Sequence, residues 1–306
     1  MLKSLFKPEY LFKPSVLFRR LLSVPSKLNS DFADYMLPWG LSIRIRPNEE
    51  HGRMLHTLGV IDLVVSEFLW RLSKAGDIQV DVGGNIGYMT SILCTRTHLR
   101  NGGRVITFEA NPEVYNEMAF NISRWREVFP NMEIQTLNMA ASNKTGLLQL
   151  EMPDNFSNNR GLSRIVASGT GGRTVEVAAK TLDSTIGEQH IGVLKLDVEG
   201  HELQVLEGSR RLFSDRRVRD CIFEEHQEYP TPVTDWFESH GYKVIRLHRS
   251  LLGPRLLEAN SQIRRTSWHP TNFLATIDEE RAWRLTKPRG WDVLRTSHLP
   301  LANSIT

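Results

Sequence analysis

The chain has 306 residues, 40% of them hydrophobic and 24% charged, with a formal net charge of +3 and a pI near 8.9. That is enough apolar material for one large domain, or one domain with an extension, and too weak a basic bias to argue for a nucleic-acid partner. Cys94 and Cys221 are the only cysteines and both fall in apolar predicted elements, which speaks against a disulfide framework or a metal-spaced pair and for buried thiols in a reducing, cytoplasmic setting.

Residues 1–28 set Lys3, Lys7, Lys13, Arg19, Arg20 and Lys27 against Glu9 alone, interleaved with leucines and aromatics, and Pro8 and Pro14 rule out one long helix. Two readings follow: an arm resting on an anionic membrane surface at its inner face, or an arm packing its aromatic side on the domain or a second subunit of a homo-oligomer. No run reaches membrane-spanning length, and no signal peptide with a small-residue cleavage site is expected. Leu41 to Arg46 alternates and predicts a strand, and Gly59 to Leu72 has the spacing of a core-facing helix.

From Ile78 to Thr90 a short apolar strand enters a glycine-rich turn and then a helix. A dinucleotide site needs G-x-G-x-x-G, but counting from Gly83 the next two glycine positions hold Asn85 and Tyr88. The turn instead reads D-x-G-x-N-x-G, from Asp81 to Gly87. Glycines allow backbone amides to approach a ligand, and a helix start favours an anion. A carboxylate at the strand end repels a pyrophosphate but suits an ammonium. S-adenosylmethionine has an ammonium, a sulfonium and a carboxylate but no phosphate, so it is the ligand expected here. The plain alternative is a tight strand-to-helix turn with no ligand.

Arg104 to Phe108 predicts a second parallel strand ending at Glu109, about twenty residues past the turn, where an acid can accept both ribose hydroxyls. Met132 to Asn138 predicts a third strand, and the small residues of Met139-Ala140-Ala141 leave room for an adenine ring. The cofactor set is therefore Asp81, Gly83, Gly84, Asn85, Gly87, Tyr88, Glu109, Ala110, Asn111, Asn138, Met139, Ala140 and, further on, Asp197. Leu147 to Met152 and Thr174 to Ala178 predict paired strands around a polar stretch, Pro153 to Arg173, of lid or binding-loop character. Within it Asn159, Arg160 and Arg164 are candidates for an acidic or hydroxylated substrate, or are solvated loop residues.

Val193 to Val198 predicts a strand whose alternation puts Lys195, Asp197 and Glu199 on one face, an anomaly for a parallel strand normally apolar on both sides. Arg219 to His226 repeats it, with Glu224 and His226 on one face and Glu225 on the other. These groups must pair, meet a ligand or line a cavity. The bland reading is a charge cluster in which Lys195 pairs with Glu224. A helix from Thr234 to His240 and strands Tyr242 to Leu247 and Asn272 to Ile277 complete a doubly wound α/β sheet with a terminal hairpin.

The chain resembles the FkbM family of S-adenosylmethionine-dependent methyltransferases from about Asp77 to Thr276. The resemblance rests on D-V-G-G-N-I-G-Y at 81–88, F-E-A-N-P at 108–112, T-L-D at 181–183, K-L-D-V-E-G-H-E at 195–202, L-E-G at 206–208, F-E-E-H at 223–226, G-Y at 241–242 and N-F-L-A-T at 272–276. The K-x-D-V-E-G-x-E block is the most specific of these. Gly84 stands where the family commonly has alanine, a change expected to be harmless, and Ala110 where it commonly has proline, which loosens the ribose loop slightly. The resemblance implies a class I methyltransferase (Rossmann-like) fold with seven strands, mostly parallel and the last antiparallel, behind an N-terminal extension. The expected division is an arm and small strand region at 1–58, the catalytic domain at 59–278, and a tail packing on it at 279–306. It also implies O-methylation of a sugar, glycan, polyketide or related natural product.

In-line methyl transfer to a hydroxyl needs a base. His226 is the first candidate and Asp197 the second, with Glu224, Lys195 and Glu199 completing the cluster and Glu199 and Glu202 also placed to cap a helix. A divalent ion on Asp197, Glu224 and His226 is an alternative, without a metal-like spacing. Two other classes stay in view: an NAD-dependent oxidoreductase, disfavoured by the missing glycines, and a non-catalytic membrane-surface or assembly protein on the same fold.

Overall fold

A computed structural model describes residues 7–14, 30–98, 103–152, 156, 160–166, 173–262 and 271–295. Strands β1 (Ala33–Met36) and β2 (Ser42–Ile45) form an antiparallel ribbon. The central strands are β3 (Ile78–Val82), β4 (Arg104–Phe108), β5 (Glu133–Leu137), β10 (Ile191–Leu196), β11 (Val218–Glu225), β12 (Lys243–Ser250), β13 (Gly253–Glu258) and β14 (Thr271–Thr276). They make one eight-stranded sheet, ordered β13-β12-β14-β11-β10-β3-β4-β5. Strands β5, β4, β3, β10 and β11 are parallel, and β14 inserts antiparallel between β11 and β12. This is the class I methyltransferase order with an added edge strand. The eighth strand, β13, arises in a stretch that reads as loop because Gly253 and Pro254 open it. A proline is tolerated there because the strand lies at the sheet edge.

Side-chain alternation assigns each strand to two cores. Val105, Val193, Ile222 and Leu274 face one layer, with helices α3 (Leu63–Leu72), α4 (Tyr88–Thr97), α5 (Pro112–Val128) and α10 (Glu279–Thr286). Ile106, Leu194, Phe223 and Phe273 face the other, with α6 (Leu182–Ile186), α7 (Glu202–Glu207), α8 (Arg210–Ser214) and α9 (Pro232–Ser239). The first layer is not purely apolar. Gln79, Asp81, Thr107 and Lys195 lie buried in it, which accounts for the anomaly read in the sequence.

The helix predicted over Gly59 to Leu72 is helical only from Leu63, and a separate helix precedes it. Helix α2 (Glu50–Leu58), which has no sequence signal strong enough to predict it, ends at Gly59 in left-handed backbone. Helix α3 begins after Asp62, whose carboxylate accepts the Val64 and Val65 amides. Strands β6 (Ala140–Ala141), β7 (Gly146–Met152), β8 (Arg164–Val166) and β9 (Arg173–Lys180) form a small second sheet, ordered β6-β9-β7-β8, that carries the described part of the polar stretch over the main sheet's edge. At the N-terminus α1 (Pro8–Phe12) packs on the domain, with Tyr10 buried and the buried Glu9 paired to Arg249.

The C-terminal segment is held by one buried ion pair. Arg71 donates to Glu67 at 2.6 Å and to the carbonyls of Thr286, Pro288 and Gly290, while Glu67 accepts the Asp292 and Val293 amides. Arg71→Ala leaves Glu67 buried without its cation and should cost about 3–5 kcal/mol. Urea denaturation measures this, and the double variant with Glu67→Gln should recover part of the loss.

Candidate functional site

The carboxyl ends of β3, β4, β10, β11 and β12, with the start of β14, open onto a cavity of about 680 Å³. That is the position and size of a small-molecule site in an open α/β sheet. Crossing the sheet edge from β4 toward β12, its wall presents Glu109, then Asn85, Lys195 and Asp197, then Glu199 and Glu224, then Asn272, and finally Arg246, His248 and Arg249. One flank is therefore acidic, and the other carries two guanidiniums that are already paired, Arg246 with Glu228 and Arg249 with Glu9.

The turn after β3 is fixed by its neighbours. A Cβ at Gly83 would lie 1.9 Å from the Asp197 carbonyl oxygen, so only glycine lets the β10 end cross over it. The turn's amides are already engaged. Gly83 and Gly84 donate to the Phe108 carbonyl and Ile86 to the Asn85 side chain, while Asn85 donates at 2.8 Å to Glu109. The amides of Gly83 to Ile86 are thus committed within the protein rather than turned to a ligand. Glu109 accepts a second amide, from Asn111, through its other oxygen at 2.8 Å. Burial outweighs these amides and pushes its carboxyl up to about 7.

Asp81 does not reach the cavity wall. It is fully buried beneath the turn, accepts Thr90 Oγ1 at 2.6 Å, and lies 3.5 Å from Lys195 Nζ. Lys195 also meets Asp197 at 3.2 Å and donates to the Gly83 carbonyl at 2.8 Å. Its partners are thus Asp81 and Asp197 rather than Glu224. Burial opposes its charge, but those two carboxylates outweigh burial and hold the ammonium above its ordinary range.

Asp197 and Glu199 reach the cavity by a turn rather than by strand alternation, since β10 ends at Leu196. Glu199 adopts φ 52°, and two other cavity residues, Asp62 and Asn85, adopt φ 31° and 50°. A non-glycine residue in this region is strained, and strain of this kind gathers at functional sites. Burial and the charges of Asp197 and Glu202 push Glu199 up to about 7. Burial, then Asp197, Asp62 and Glu199, push Glu224 well above the carboxylate range. Glu202 is structural, accepting the Val198 and Gly200 amides.

His226 lies past the end of β11 at the rim, its side chain 60% exposed, 3.7 Å from Glu224 and 3.9 Å from Glu199, and off the cavity wall. Among the described residues no set of three or more His, Cys, Asp or Glu side chains is placed to hold a metal ion, so Asp197, Glu224 and His226 do not form a metal site. Glu225 is buried against Thr231, at 2.8 Å. Of the cofactor set, Gly83, Gly84, Asn85, Tyr88, Glu109, Ala110, Met139, Ala140 and Asp197 line the cavity. Gly87, Asn111 and Asn138 support it from behind, Asn111 as the N-cap of α5 and Asn138 by donating to the Glu109 and Ala110 carbonyls. Arg160 is on the wall but committed to Glu117 and Glu49, at 2.6 and 2.9 Å, while Arg164 is exposed and pairs with Glu151. Asn159 lies outside the described residues, as do 1–6 and 15–29 of the basic arm.

Residues 81–244, more than half of the chain, match the family described as Methyltransferase FkbM domain. The chain belongs to the FkbM methyltransferase family. Its FkbM domain is similar to the hexuronic acid methyltransferase AglP of Haloferax volcanii, 29% identical over 168 residues, which cover 52% of this chain and 60% of that protein. The chain thus spans less than two thirds of that relative. Solved structures of similar shape include methyltransferase FkbM from Methylobacillus flagellatus, with TM-score 0.42 and 13% identity over 72% of this chain and 52% of the other. A SAM-dependent O-methyltransferase from Thermotoga maritima gives TM-score 0.39 and 15% identity over 71% and 65%.

The sequence reading of this FkbM protein missed several polar wall residues, among them His51, Asp62, His201, Arg246, His248, Arg249 and Asn272. His51 sits on α2, in hydrogen-bond contact with the Asn85 side chain, and burial holds its imidazole below the ordinary value, hence neutral. Gly84 is also less interchangeable than expected. A Cβ there would lie 2.2 Å from Thr107 Oγ1 and 2.7 Å from Met118 Sδ. Gly84→Ala should therefore destabilise by about 1–3 kcal/mol, and adding Thr107→Ser, freer at χ1, should recover part of it in a thermal melt.

Proposed function

We propose that this chain transfers a methyl group from S-adenosylmethionine to a hydroxyl of a sugar-type acceptor bearing an acid group. The observation that carries the reading is the cavity at the sheet's carboxyl edge, where Glu109 and Asp197 flank the glycine turn of an FkbM domain and the ion-paired Arg246 and Arg249 stand across from them. The Haloferax relative, a hexuronic acid methyltransferase, supports an acceptor whose carboxylate would reach Arg246 or Arg249 by displacing Glu228 or Glu9.

The residues fit the cofactor. Glu109 keeps lone pairs for two ribose hydroxyls beside its two amide bonds, Asp197 suits an ammonium, Lys195 supplies a cation for the amino-acid carboxylate, and Met139 to Ala141 give an apolar wall for adenine. When bound, S-adenosylmethionine supplies an electrophilic methyl carbon. His51 is the base: it lines the cavity in contact with Asn85, and the charges of Glu50 and then Asp197 favour the imidazolium formed when it takes the acceptor's hydroxyl proton. Glu224, kept protonated, donates a hydrogen bond to the acceptor. Calorimetry with S-adenosylhomocysteine, with NAD as control, tests the cofactor, and mass spectrometry of a uronic-acid glycoside incubated with S-adenosylmethionine tests the transfer. Binding of NAD alone would sink the reading.

The raised carboxyls make ligand-free stability depend on pH. Glu224 ionises near 4.5 when unfolded but stays protonated in the fold, so the folded state binds more protons and this group's contribution falls as pH rises above 4.5. Glu224→Gln should therefore melt a few degrees above wild type at pH 8 and lose most of that advantage at pH 5.

A further inference from the structure

The hairpin that carries Arg246, His248 and Arg249 into the cavity wall turns over at Leu251 and Leu252, 41% and 44% exposed. Leu252 accepts the Gly290 amide at 2.7 Å, and Gly290 abuts Phe12 of α1, whose neighbour Leu11 is 53% exposed. Trp283, 40% exposed, lines the same groove as Leu252. Three large exposed apolar side chains, Leu251, Leu252 and Trp283, thus lie at the hairpin tip and its groove. Segments 249–257 and 283–289 hold Arg249, Arg255, Arg284, Lys287 and Arg289 and no Asp or Glu, and the acid in contact with Trp283 is Glu279, one turn earlier on α10. Arg249 is taken by Glu9. The other four are exposed, and none is within ion-pair distance of a carboxylate among the described residues.

We propose that this face docks on an anionic membrane surface, with the Leu251–Leu252 turn and Trp283 entering the headgroup layer and Arg255, Arg284, Lys287 and Arg289 binding lipid phosphates. Aliphatic tips ringed by unpaired cations, with a tryptophan among them, are what an interface between water and an anionic lipid layer rewards. A nucleic acid would leave the leucines without a partner, and Trp283 already gives its indole N–H to Glu279. Among the described residues no helix is long and apolar enough to cross a membrane, so the contact is peripheral. The inference stands apart from the methyl-transfer reading, since neither the leucines nor the four cations line the cavity.

The test is cosedimentation of the full chain with phosphatidylcholine vesicles, with and without roughly one third phosphatidylglycerol. Wild type should bind the anionic vesicles, not the neutral ones, and release in about 1 M salt. Arg284→Glu with Lys287→Glu should weaken binding at least about 25-fold, from roughly fivefold per charge. Leu251→Ser with Leu252→Ser should weaken it about tenfold. Melting temperatures of both variants should match wild type. Equal binding to neutral vesicles, no binding, or full binding by both variants would overturn the proposal. So would a wild-type dimer in solution that these substitutions dissociate, which would make the face a contact between two copies.

Discussion

Lys195→Met should destabilise the protein by about 3–5 kcal/mol and abolish binding of S-adenosylhomocysteine. Removing the ammonium strands Asp81, which is fully buried and has one oxygen with no hydrogen-bond partner. It also frees the Gly83 carbonyl and Asp197, both of which Lys195 holds in place under the cavity. An unpaired buried carboxylate is worse than no carboxylate at all, so Lys195→Met with Asp81→Asn should be more stable than Lys195→Met alone. Urea denaturation of the two single variants and the double gives the coupling, and calorimetry reads ligand binding separately. Near-wild-type stability of Lys195→Met would mean that Asp81 is satisfied some other way.

His51→Ala should lower kcat by about 10²–10⁴-fold while leaving cofactor affinity within a few-fold, the range expected for loss of a positioned base. His226→Ala is the control, because its exposed ring stands at the rim. The low pH limb of kcat should follow His51, whose imidazole is already held below its ordinary value. If His226→Ala carries the loss instead, the rim histidine must move inward over the acceptor, and the present assignment fails.

The central strands were legible because apolar alternation and the two acid-tipped strand ends are local signals, while their order came only with the family resemblance. The polar row on β3, β4 and β10 was also legible as an anomaly, but not in its pairing. Lys195 reaches Asp81 because β3 and β10 lie side by side in register, a fact of sheet order that no local pattern carries. His51 was invisible for a related reason. It is one of two histidines on a short helix containing Gly52, and it becomes a wall residue only because that helix packs beside the glycine turn. Arg160 looked like a loop arginine awaiting substrate, yet it reaches back along the chain to clamp Glu49 and Glu117, long-range partners that spacing cannot reveal.

The left-handed backbone at Asp62 and Glu199 has a consequence for engineering. Each such residue costs about 1–2 kcal/mol that glycine would relieve. Glycine at 199 would thus harden the protein while deleting a carboxylate from the cavity. A library screened for heat resistance alone would drift toward robust but inert variants, and selection here must score both traits together.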